Sequence, residues 1–492
     1  MFAGGLDVGT TGCKIVVYDE QAQLCDTYYQ EYDSVHRNGL HEIDFRAIRD
    51  GVLKLLQTAA AKYRLSALGV TSFGETFAML DDKDEVLAPS MLYTDPRGAE
   101  QCRELAARVG ADRLTRLTGV KPDPMYSIAK MMWLRDNRPE AFARCRRILL
   151  GEDFIVYTLT GIAQIDDSLA ARTAAFDIRQ KCWCREIFEA AGIDPALLSA
   201  PVRPGTVAGP LRPELRKQLG IDYDITVVSG CHDQTAGMIG AGVLDTEQAM
   251  DGTGTVECIP VVLDRIPEDP QVYEGGYSVV PFIDGKYACY ALSFTGGATL
   301  KWFRDHFAEE ELRQQAATGR DAYAILDGAV SDGPTGILCL PHFAGAATPY
   351  MDPESKAAFV GITLETTKYD LYKALMEGTS YEMLLNFNTL KAVTGEIREI
   401  KATGGGAGSD VWLQIKADIL GTDIAALTCR QVGAAGMAAL AGCAVGMYGD
   451  LRATVAKMAA VRRVFRPDAA RHEQYAALYA RYANLYRNLK QL

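Results

Sequence analysis

The stretch GCHDQTAGMIGAG, residues 230–242, decides how the rest of the chain is interpreted. It follows residues 225–229 (ITVVS), a β-branched apolar run that predicts a short buried strand. Asp233 then lies where this strand gives way to a helix of small residues. Ligands of an open α/β sheet gather at the carboxyl ends of its strands, so this position suits a catalytic carboxylate. Taken alone, the pattern favours a helix N-cap, a role that Asp fills in many proteins.

The composition is that of a large globular protein. The 492 residues, 48% apolar and 23% charged, are enough for two large domains. With 51 basic against 63 acidic residues the net charge is -12, which argues against a nucleic-acid partner. The 12 cysteines form no paired CxxC motif, and we expect neither a leader nor a membrane span from this sequence. We therefore expect reduced thiols, a cytoplasmic protein and no membrane partner.

The N-terminus predicts a β-hairpin with a phosphate-binding tip. Residues 2–8 and 14–18 are its predicted strands, and the tip carries the sequence DVGTTGCK. Its glycine amides, its two threonine hydroxyls and Lys14 suit an anion. Neither a Walker motif nor GxGxxG is present, so a plain glycine-rich turn stays an alternative. Asp7 beside such a loop calls for a cation between carboxylate and phosphate, and Mg2+ binds both.

Further polar residues in the first half lie in predicted turns and loops. Gly74, Glu75 and Thr76 join two predicted strands. Glu75 either accepts hydrogen bonds from ligand hydroxyls or is a solvated turn residue. Asp95 lies in the extended loop YTDPR, where its carboxylate is expected to stay available. Residues 201–213 are predicted to form a proline-rich connection.

The glycine-rich pattern of the N-terminus returns in the second half of the chain. Residues 251–255, DGTGT, again follow a strand-like run and suggest an internally duplicated architecture with a second phosphate clamp. The domain boundary is then expected at residues 244–247. Two further glycine-rich turns, at residues 293–304 and 402–418, each lead into a predicted helix. The N-terminus of such a helix admits an aromatic base or a phosphate.

Together these stretches resemble the FGGY carbohydrate kinases, the family of glycerol kinase and xylulokinase. The resemblance extends over essentially the full length and rests on motifs in the same order. These are DVGTTGCK at 7–14, MYSIAKMMWLRDN at 125–137, GCHDQTAGMIGAG at 230–242, DGTGT at 251–255 and ATGGGAGSDVWLQIKADILG at 402–421. The second signature of the family, at residues 357–377, departs at Leu375.

The resemblance implies an α/β fold of two ribonuclease-H-like (actin-like ATPase) domains around a central cleft. We expect residues 1–244 to form an N-terminal domain that carries the phosphate hairpin and binds mainly the sugar. Residues 245–492 are expected to form a C-terminal domain that binds mainly ATP. Asp233 is the expected catalytic base, with Asp7 and Asp233 as ligands of Mg2+. The expected nucleotide-binding residues are Gly9, Thr10, Thr11, Lys14, Thr253, Gly254, Thr255, Gly297, Gly405, Gly406 and Ser409, and the expected substrate-binding residues are Gly74, Glu75, Thr76, Asp95, Asp233 and Gln234.

The substrate is less well specified by the resemblance. Gly74 stands where glycerol kinase has Arg, and Met125 stands where a Tyr is expected. The loss of two contacts and the gain of space suggest a substrate larger than glycerol. The Gln-Met-His turn of xylulokinases is missing as well. We expect a ketopentose such as xylulose, with glycerol or another polyol as the alternative, while the role of His232 stays open between tuning the base, binding a hydroxyl and packing.

Two other classes of function compete with a sugar kinase. Phosphoryl transfer needs alignment and charge neutralisation, with a carboxylate to accept the hydroxyl proton. An actin-like ATPase would share the ATP loops but would need no such base, so Asp233 together with Glu75 and Asp95 counts against it. A sugar sensor without turnover would not need Asp7 and Asp233 intact. The sequence leaves a homodimer open.

Overall fold

The computed structural model describes residues 1–490. Its strands in chain order are β1 Phe2–Val8, β2 Gly12–Asp19, β3 Leu24–Glu31, β4 Ser34–Arg37, β5 Leu40–Ile43, β6 Leu65–Ser72, β7 Phe77–Leu80, β8 Ser90–Met91, β9 Arg147–Leu150, β10 Gln164–Asp166, β11 Phe176–Asp177, β12 Cys182–Trp183, β13 Ala200–Val202, β14 Val207–Pro210, β15 Thr226–His232, β16 Gln248–Thr253, β17 Glu257–Leu263, β18 Ser278–Pro281, β19 Tyr287–Ser293, β20 Leu338–Leu340, β21 Ala358–Val360, β22 Glu399–Gly404, β23 Asp423–Leu427 and β24 Val461–Phe465.

The α-helices are α1 Phe45–Lys62, α2 Ala99–Val109, α3 Ala111–Thr118, α4 Ser127–Asn137, α5 Pro139–Arg144, α6 Gly151–Thr160, α7 Asp167–Ala171, α8 Arg185–Ala191, α9 Pro213–Leu219, α10 Asp233–Ala241, α11 Pro270–Glu274, α12 Gly297–Phe307, α13 Glu309–Thr318, α14 Ala322–Asp327, α15 Lys368–Thr394, α16 Asp410–Leu420, α17 Val432–Ala444, α18 Leu451–Met458, α19 Ala469–Tyr482 and α20 Leu485–Leu489. Short 3-10 helices lie at Pro195–Leu197, Ile283–Gly285 and Gly406–Gly408.

The first of two large sheets has the strand order β14–β15–β6–β1–β2–β3. Strands β1 and β2 form the expected N-terminal hairpin, in which Asp7 lies opposite Lys14. Strand β6 runs parallel to β1, and β15 runs parallel to β6. Because parallel strands end at the same edge of a sheet, Asp7, the turn after β6 and Asp233 after β15 meet there.

The second sheet, of order β18–β19–β17–β16–β22–β23–β24, repeats this plan. In the second sheet, β19, β17 and β16 pair antiparallel, and β22 and β23 then continue parallel to β16. In the first sheet, β3, β2 and β1 pair antiparallel in the same way, and β6 and β15 continue parallel to β1. The duplication suggested by the DGTGT motif is therefore confirmed in the topology. The two hairpins, β1–β2 and β16–β17, occupy equivalent places in their sheets.

Helices α10 and α17 pack against each other, and α17 also packs on β1 and β6. Small residues make this possible. A Cβ atom added at Gly5 would lie 1.8 Å from the carbonyl oxygen of Ala434, and one at Gly240 would lie 1.8 Å from that of Val432. This close packing brings the start of α17 to the hairpin of the first sheet. A Cβ added at Gly433 would lie only 3.4 Å from Asp7 Oδ2.

The predicted strands and helices are confirmed except in one connection. The prediction of a proline-rich linker at residues 201–213 is wrong in part, because this stretch contains β14 and the start of α9. Strand β14 is the edge strand of the first sheet, where a proline costs no ladder hydrogen bond. Within residues 1–490, no helix has the length and apolar character needed to cross a membrane.

Candidate active site

Asp233 is the first residue of α10, directly after β15. The N-cap position belongs to His232, and no side chain caps this helix. The simple N-cap interpretation of Asp233 is therefore wrong. The Asp233 side chain is one-third exposed, and its Oδ1 atom is buried without a hydrogen bond.

Three carboxylates converge at this edge of the first sheet. Although one-third of its side chain is exposed, the Asp233 carboxyl is buried deeply enough to raise its pKa to about 7. The negative charges of Asp7 and Glu75 add to the effect, while the amide of Gln234 and the Arg172 guanidinium oppose it. Burial also raises the pKa of Asp7, which Lys14 partly offsets. A site that concentrates negative charge in this way suits a cation.

The turn after β6 holds Glu75 in a buried ion pair. Glu75 has a φ of 64°, a left-handed conformation that few non-glycine residues adopt, and such strain concentrates at functional sites. Arg172 Nε donates to Glu75 Oε1 at 2.6 Å, and both side chains are buried. Ser127 at the start of α4 donates its hydroxyl to the Glu75 carbonyl at 2.6 Å. The turn is thus fixed from two sides.

Gly74 does not leave an empty space beside this turn. A Cβ there would lie 3.1 Å from His232 Nε2 and 3.4 Å from Arg172 Cγ. His232 and Arg172 therefore occupy the volume that the missing side chain at residue 74 was expected to free. His232 Nε2 also lies 3.0 Å from Asp233 Oδ1, without hydrogen-bond geometry. Burial, and then the charge of Arg172, hold the pKa of His232 far below its usual value, so the ring is neutral.

A group of buried polar atoms around Asp233 has no hydrogen-bond partner among the described residues. It comprises Thr76 Oγ1, Arg172 Nη1, His232 Nδ1, Asp233 Oδ1 and Tyr290 Oη. Buried polar groups are nearly always paired, so an unpaired cluster indicates a polar ligand. Gly74 lies in the same turn as Thr76, and Gln234 follows His232 and Asp233 in the chain.

Asp95 has protein partners for both of its oxygens. It accepts hydrogen bonds from the backbone of His41 and from the backbone and side chain of Arg97, at 2.7–3.0 Å. These bonds lower the pKa of Asp95 despite its burial. Lys130, which is also buried, donates to the Asp95 carbonyl at 2.8 Å. The expectation that this carboxylate stays available is wrong, and Asp95 supports the loop instead.

The first hairpin presents an open loop. The amide of Gly9 donates to the Gly12 carbonyl at 2.9 Å, which closes the turn. Thr10 is half-buried and Thr11 is exposed. Lys14 is half-buried and lies across the hairpin from Asp7. This arrangement leaves two hydroxyls and one cation near the Asp7 carboxylate.

The second hairpin encloses a buried ionic cluster. Lys416 Nζ on α16 donates to Asp251 Oδ2 at 2.5 Å, to Glu257 Oε1 at 2.6 Å and to Thr253 Oγ1 at 2.8 Å. Thr253 was expected to bind phosphate, but its hydroxyl is buried in this cluster and donates to a carboxylate. Gly254 and Thr255, in contrast, are exposed at the tip.

Next to this tip lies a cavity of about 750 Å3. Its lining includes the expected residues Gly254, Thr255, Gly297, Gly405, Gly406 and Ser409, together with Trp302, Tyr323, Asp327, Tyr372, Trp412 and Arg430. A volume of this size and an aromatic, glycine-rich lining suit a nucleotide.

Two expected nucleotide contacts have a different local role. The amide of Gly297 donates to the Gly254 carbonyl at 2.8 Å, so it fixes the hairpin tip against α12 instead of facing a phosphate. Ser409 caps α16 by accepting from the Trp412 amide, and its hydroxyl donates to Asp327 Oδ2 at 2.7 Å. Gly404, at a φ of 84°, allows the chain to turn where a Cβ would lie 2.5 Å from the Thr253 carbonyl oxygen.

Sequence reasoning missed Arg172, Tyr290 and Lys416. Arg172 lies in DSLAART and Tyr290 in KYACYAL, two stretches without any glycine-rich or acidic pattern. Lys416 follows WLQI in the helix predicted within residues 402–418, and helical periodicity alone does not mark it as a buried cation. Only the tertiary fold brings these side chains to the site.

Residues 1–490 contain no group of three or more His, Cys, Asp or Glu side chains arranged to hold a metal ion. Mg2+ in phosphoryl-transfer sites takes one or two carboxylates, with phosphate oxygens and waters as the remaining ligands. Asp7 and Asp233, whose charges oppose each other's ionisation, fit this incomplete set.

Comparison with known proteins identifies both halves of the chain. Residues 2–240 match the N-terminal domain of the FGGY family of carbohydrate kinases, and residues 253–445 match its C-terminal domain. The chain is 28% identical to the xylulose kinase of Staphylococcus epidermidis over 502 aligned residues, which cover 99% of this chain and 97% of that protein. It is 26% identical to the gluconokinase of Bacillus subtilis over 465 residues, 90% of this chain and 86% of that one.

Solved structures give the same picture. The ligand-bound xylulose kinase from Lactobacillus acidophilus superposes with a TM-score of 0.91 at 25% identity, covering 99% of this chain and 98% of that chain. A gluconate kinase from the same organism superposes with a TM-score of 0.90 at 25% identity, with the same coverage of both chains. The fold is therefore that of two actin-like, ribonuclease-H-like domains.

Proposed function

We propose that this chain, which belongs to the FGGY family of carbohydrate kinases, phosphorylates an open-chain ketopentose such as xylulose. It is an ATP-dependent sugar phosphotransferase that acts on an alcohol group. The observation that carries the choice of substrate is the group of five unpaired polar atoms around Asp233. A five-carbon sugar or polyol offers five oxygens to such a site, whereas glycerol offers three, so the group favours a five-carbon substrate over glycerol.

Asp233 is the proposed catalytic base. Its carboxylate has to lie within about 2.6–3.2 Å of the attacking hydroxyl, from which it accepts the proton as the bond to phosphorus forms. One-third of the Asp233 side chain is exposed, and this accessible part of the carboxylate is suited to that role, while Oδ1 is buried 3.0 Å from His232 Nε2. Gln234, Glu75 and Thr76 are proposed to orient the sugar, since all three lie at the same edge of the first sheet.

The proposed division of labour follows the two sheets. Residues 1–244 bind mainly the sugar and residues 245–492 bind mainly ATP. The adenine base of ATP lies in the cavity beside Gly405, Gly406 and Ser409. Thr10, Thr11, Lys14 and the tip of the second hairpin face the phosphates. A Mg2+ ion held by Asp7 and Asp233 would neutralise charge on these phosphates.

The charge of the site favours a neutral sugar over a sugar acid such as gluconate. Asp7, Glu75 and Asp233 bring three carboxylates together, and Arg172 is already paired with Glu75. The carboxylate of gluconate would add a fourth negative charge at close range. Relatives named xylulose kinase and relatives named gluconokinase both align with this chain, so the local electrostatics carry the distinction.

Glycerol or another polyol is the second candidate, because Glu75, Asp233 and Gln234 match the hydroxyl-binding residues of glycerol kinase. An actin-like ATPase and a non-catalytic sugar sensor are less well supported. Neither would need an unpaired carboxylate oxygen beside four other unpaired polar groups.

A screen of ADP release tests the proposal. The purified protein is incubated with Mg-ATP and each of a panel of ketopentoses, ketohexoses, polyols, glycerol and gluconate. We expect one ketopentose to raise turnover far above the background without sugar. Asp233→Asn should remove this increase by a factor of about 10²–10⁴ while nucleotide binding persists. Fastest turnover with gluconate or glycerol, or no acceleration by any sugar, would overturn the proposed substrate.

A further inference from the structure

Tyr290 places a hydroxyl group from the second sheet at the proposed sugar site. It lies on β19, and its ring centroid is 5.8 Å from that of His232 at the end of β15. Its hydroxyl is buried without a partner among residues 1–490, although the nearby Tyr126 hydroxyl lies 3.2 Å from Ser278 Oγ in the other half. The Tyr290 hydroxyl is therefore the unpaired atom that the second half contributes to the cluster around Asp233.

Arg172 approaches the same place from the first sheet. One side of its guanidinium pairs with Glu75, and its face lies 5.1 Å from the ring centroid of Tyr126. Its Nη1 atom is buried and unpaired. The charges of Arg172 and Asp233 both affect the pKa of Tyr290, which burial raises well above its usual value. Geometry brings the two residues to the same place: the Tyr290 ring lies 5.8 Å from His232 between centroids, and a Cβ at Gly74 would lie 3.1 Å from His232 Nε2 and 3.4 Å from Arg172 Cγ. Both side chains carry protons at neutral pH.

Two adjacent donors select a particular kind of oxygen. A guanidinium donates and never accepts, and a protonated phenol beside it is best used as a donor too. A carbonyl oxygen accepts two hydrogen bonds and donates none, whereas a hydroxyl in the same place must also find an acceptor for its own proton. A carboxylate would satisfy the donors but would meet the three acidic side chains of the site.

We propose that Tyr290 Oη and Arg172 Nη1 together bind the carbonyl oxygen of an open-chain ketose, and that this contact distinguishes a ketose from the corresponding polyol. The proposal rests on the sugar kinase function given above and deepens it. Because Tyr290 belongs to the second half of the chain, the same contact links sugar binding to the approach of the two halves.

The test is the variant Tyr290→Phe, which deletes one unpaired hydroxyl and no existing hydrogen bond. Its matched control is Tyr381→Phe, because the Tyr381 hydroxyl is also buried and unpaired but lies in a tyrosine cluster of the second half, with Tyr482 at 5.0 Å between ring centroids. Both variants should unfold at the same denaturant concentration as the unaltered protein, since neither loses a bond.

The readout is kcat/KM for the best ketose and for the polyol made by reducing it. The unaltered protein should favour the ketose, and Tyr290→Phe should lower kcat/KM for the ketose about ten-fold while changing that for the polyol by less than about two-fold. Tyr381→Phe should change neither. Arg172→Lys keeps the charge opposite Glu75 but loses the second donor, and should lower the ketose value by about 100-fold.

Different results would remove different parts of the proposal. If Tyr290→Phe lowers kcat/KM equally for the ketose and the polyol, Tyr290 contributes only packing to the site and its hydroxyl does not bind the carbonyl oxygen. An unchanged ketose value would exclude the contact altogether, while leaving the ketose kinase function intact. If the unaltered protein phosphorylates no ketose, the proposed substrate fails first, and the carbonyl contact fails with it.

Discussion

The two hairpins of this chain have the same place in duplicated sheets but different electrostatics. Asp7 on β1 and Asp251 on β16 each lie near the tip of their hairpin. Asp251 shares a fully buried cluster with Lys416 and Glu257, in which an amino group lies 2.5 Å from its carboxylate. None of the salt bridges that the structure shows for residues 1–490 involves Asp7, and Lys14 only partly offsets the rise of its pKa.

This difference fits the two roles proposed for the halves of the chain. In the second half, the carboxylates beneath the hairpin tip are balanced by Lys416, and the tip at Gly254 and Thr255 is the segment proposed to meet the nucleotide. In the first half, none of the salt bridges among residues 1–490 gives Asp7 a Lys or Arg partner, and His232 beside Asp233 is neutral, which fits the roles proposed for the two carboxylates with Mg2+ and the substrate proton.

The largest expected effect is on the stability of the second hairpin. Lys416→Met would leave Asp251 and Glu257 buried without a cation, at a cost of about 3–5 kcal/mol in the free energy of unfolding. Denaturant unfolding followed by tryptophan fluorescence measures this, and Trp412, whose ring centroid lies 4.7 Å from Lys416 Nζ, is one of the four tryptophans that contribute to the signal.

The matched control removes a cation from an ion pair on the surface. Arg452 is half-exposed and pairs with Asp245 at 2.7 Å, so Arg452→Met should cost less than about 1 kcal/mol. If Lys416→Met and Arg452→Met lose the same free energy of unfolding, the buried cluster does not stabilise the second hairpin. The proposed difference between the two hairpins is then wrong.

The second prediction addresses the first hairpin. Asp7→Asn removes a carboxylate whose charged form burial already disfavours, so the free energy of unfolding should change by less than about 1 kcal/mol. Sugar-dependent turnover should fall about 100-fold, and the Mg2+ concentration for half-maximal rate should rise. The measurement is a Mg2+ titration of ADP release. Loss of stability without a change in the Mg2+ requirement would make Asp7 a structural residue like Asp251.

Much of this architecture follows from local sequence pattern. The strand–turn–strand of β1–β2, the strand–helix junction at Asp233 and the repeat of DGTGT are encoded in short stretches of β-branched residues and glycine, so they are predictable. The strand order and the placement of Asp7 near Asp233 follow once parallel strands share an edge.

The partners of the polar side chains were not predictable in this way. From the sequence, the Asp95 carboxylate and the Thr253 hydroxyl are expected to be free to bind ligands. In the structure, Arg97 donates a hydrogen bond to Asp95 and Lys416 donates one to Thr253. Gly74 looked like open space, yet His232 from 158 positions later in the chain lies against it. Each error concerns a contact between residues far apart in sequence or a neighbour whose orientation depends on the turn, and periodicity carries no information about either.

The smallest expected effect concerns the pH dependence of the base. The pKa of Asp233 is about 7, and only its ionised form can accept a proton from the sugar. In the free enzyme, kcat/KM for the sugar should therefore rise about ten-fold between pH 6 and pH 8 and level off above that range. Rates measured at saturating Mg-ATP across this range give the profile.

The titration of ATP itself falls in a similar range, so a variant has to separate the two. Glu75→Gln removes a negative charge that raises the pKa of Asp233, and it leaves Arg172 free to lower that pKa further. The midpoint should therefore move to lower pH, because the ionised base is then easier to form. A midpoint set by the nucleotide would stay in place in this variant. A profile that shifts to higher pH, or does not shift, would show that Asp233 does not control the rate and would leave the first hairpin without its distinctive chemistry.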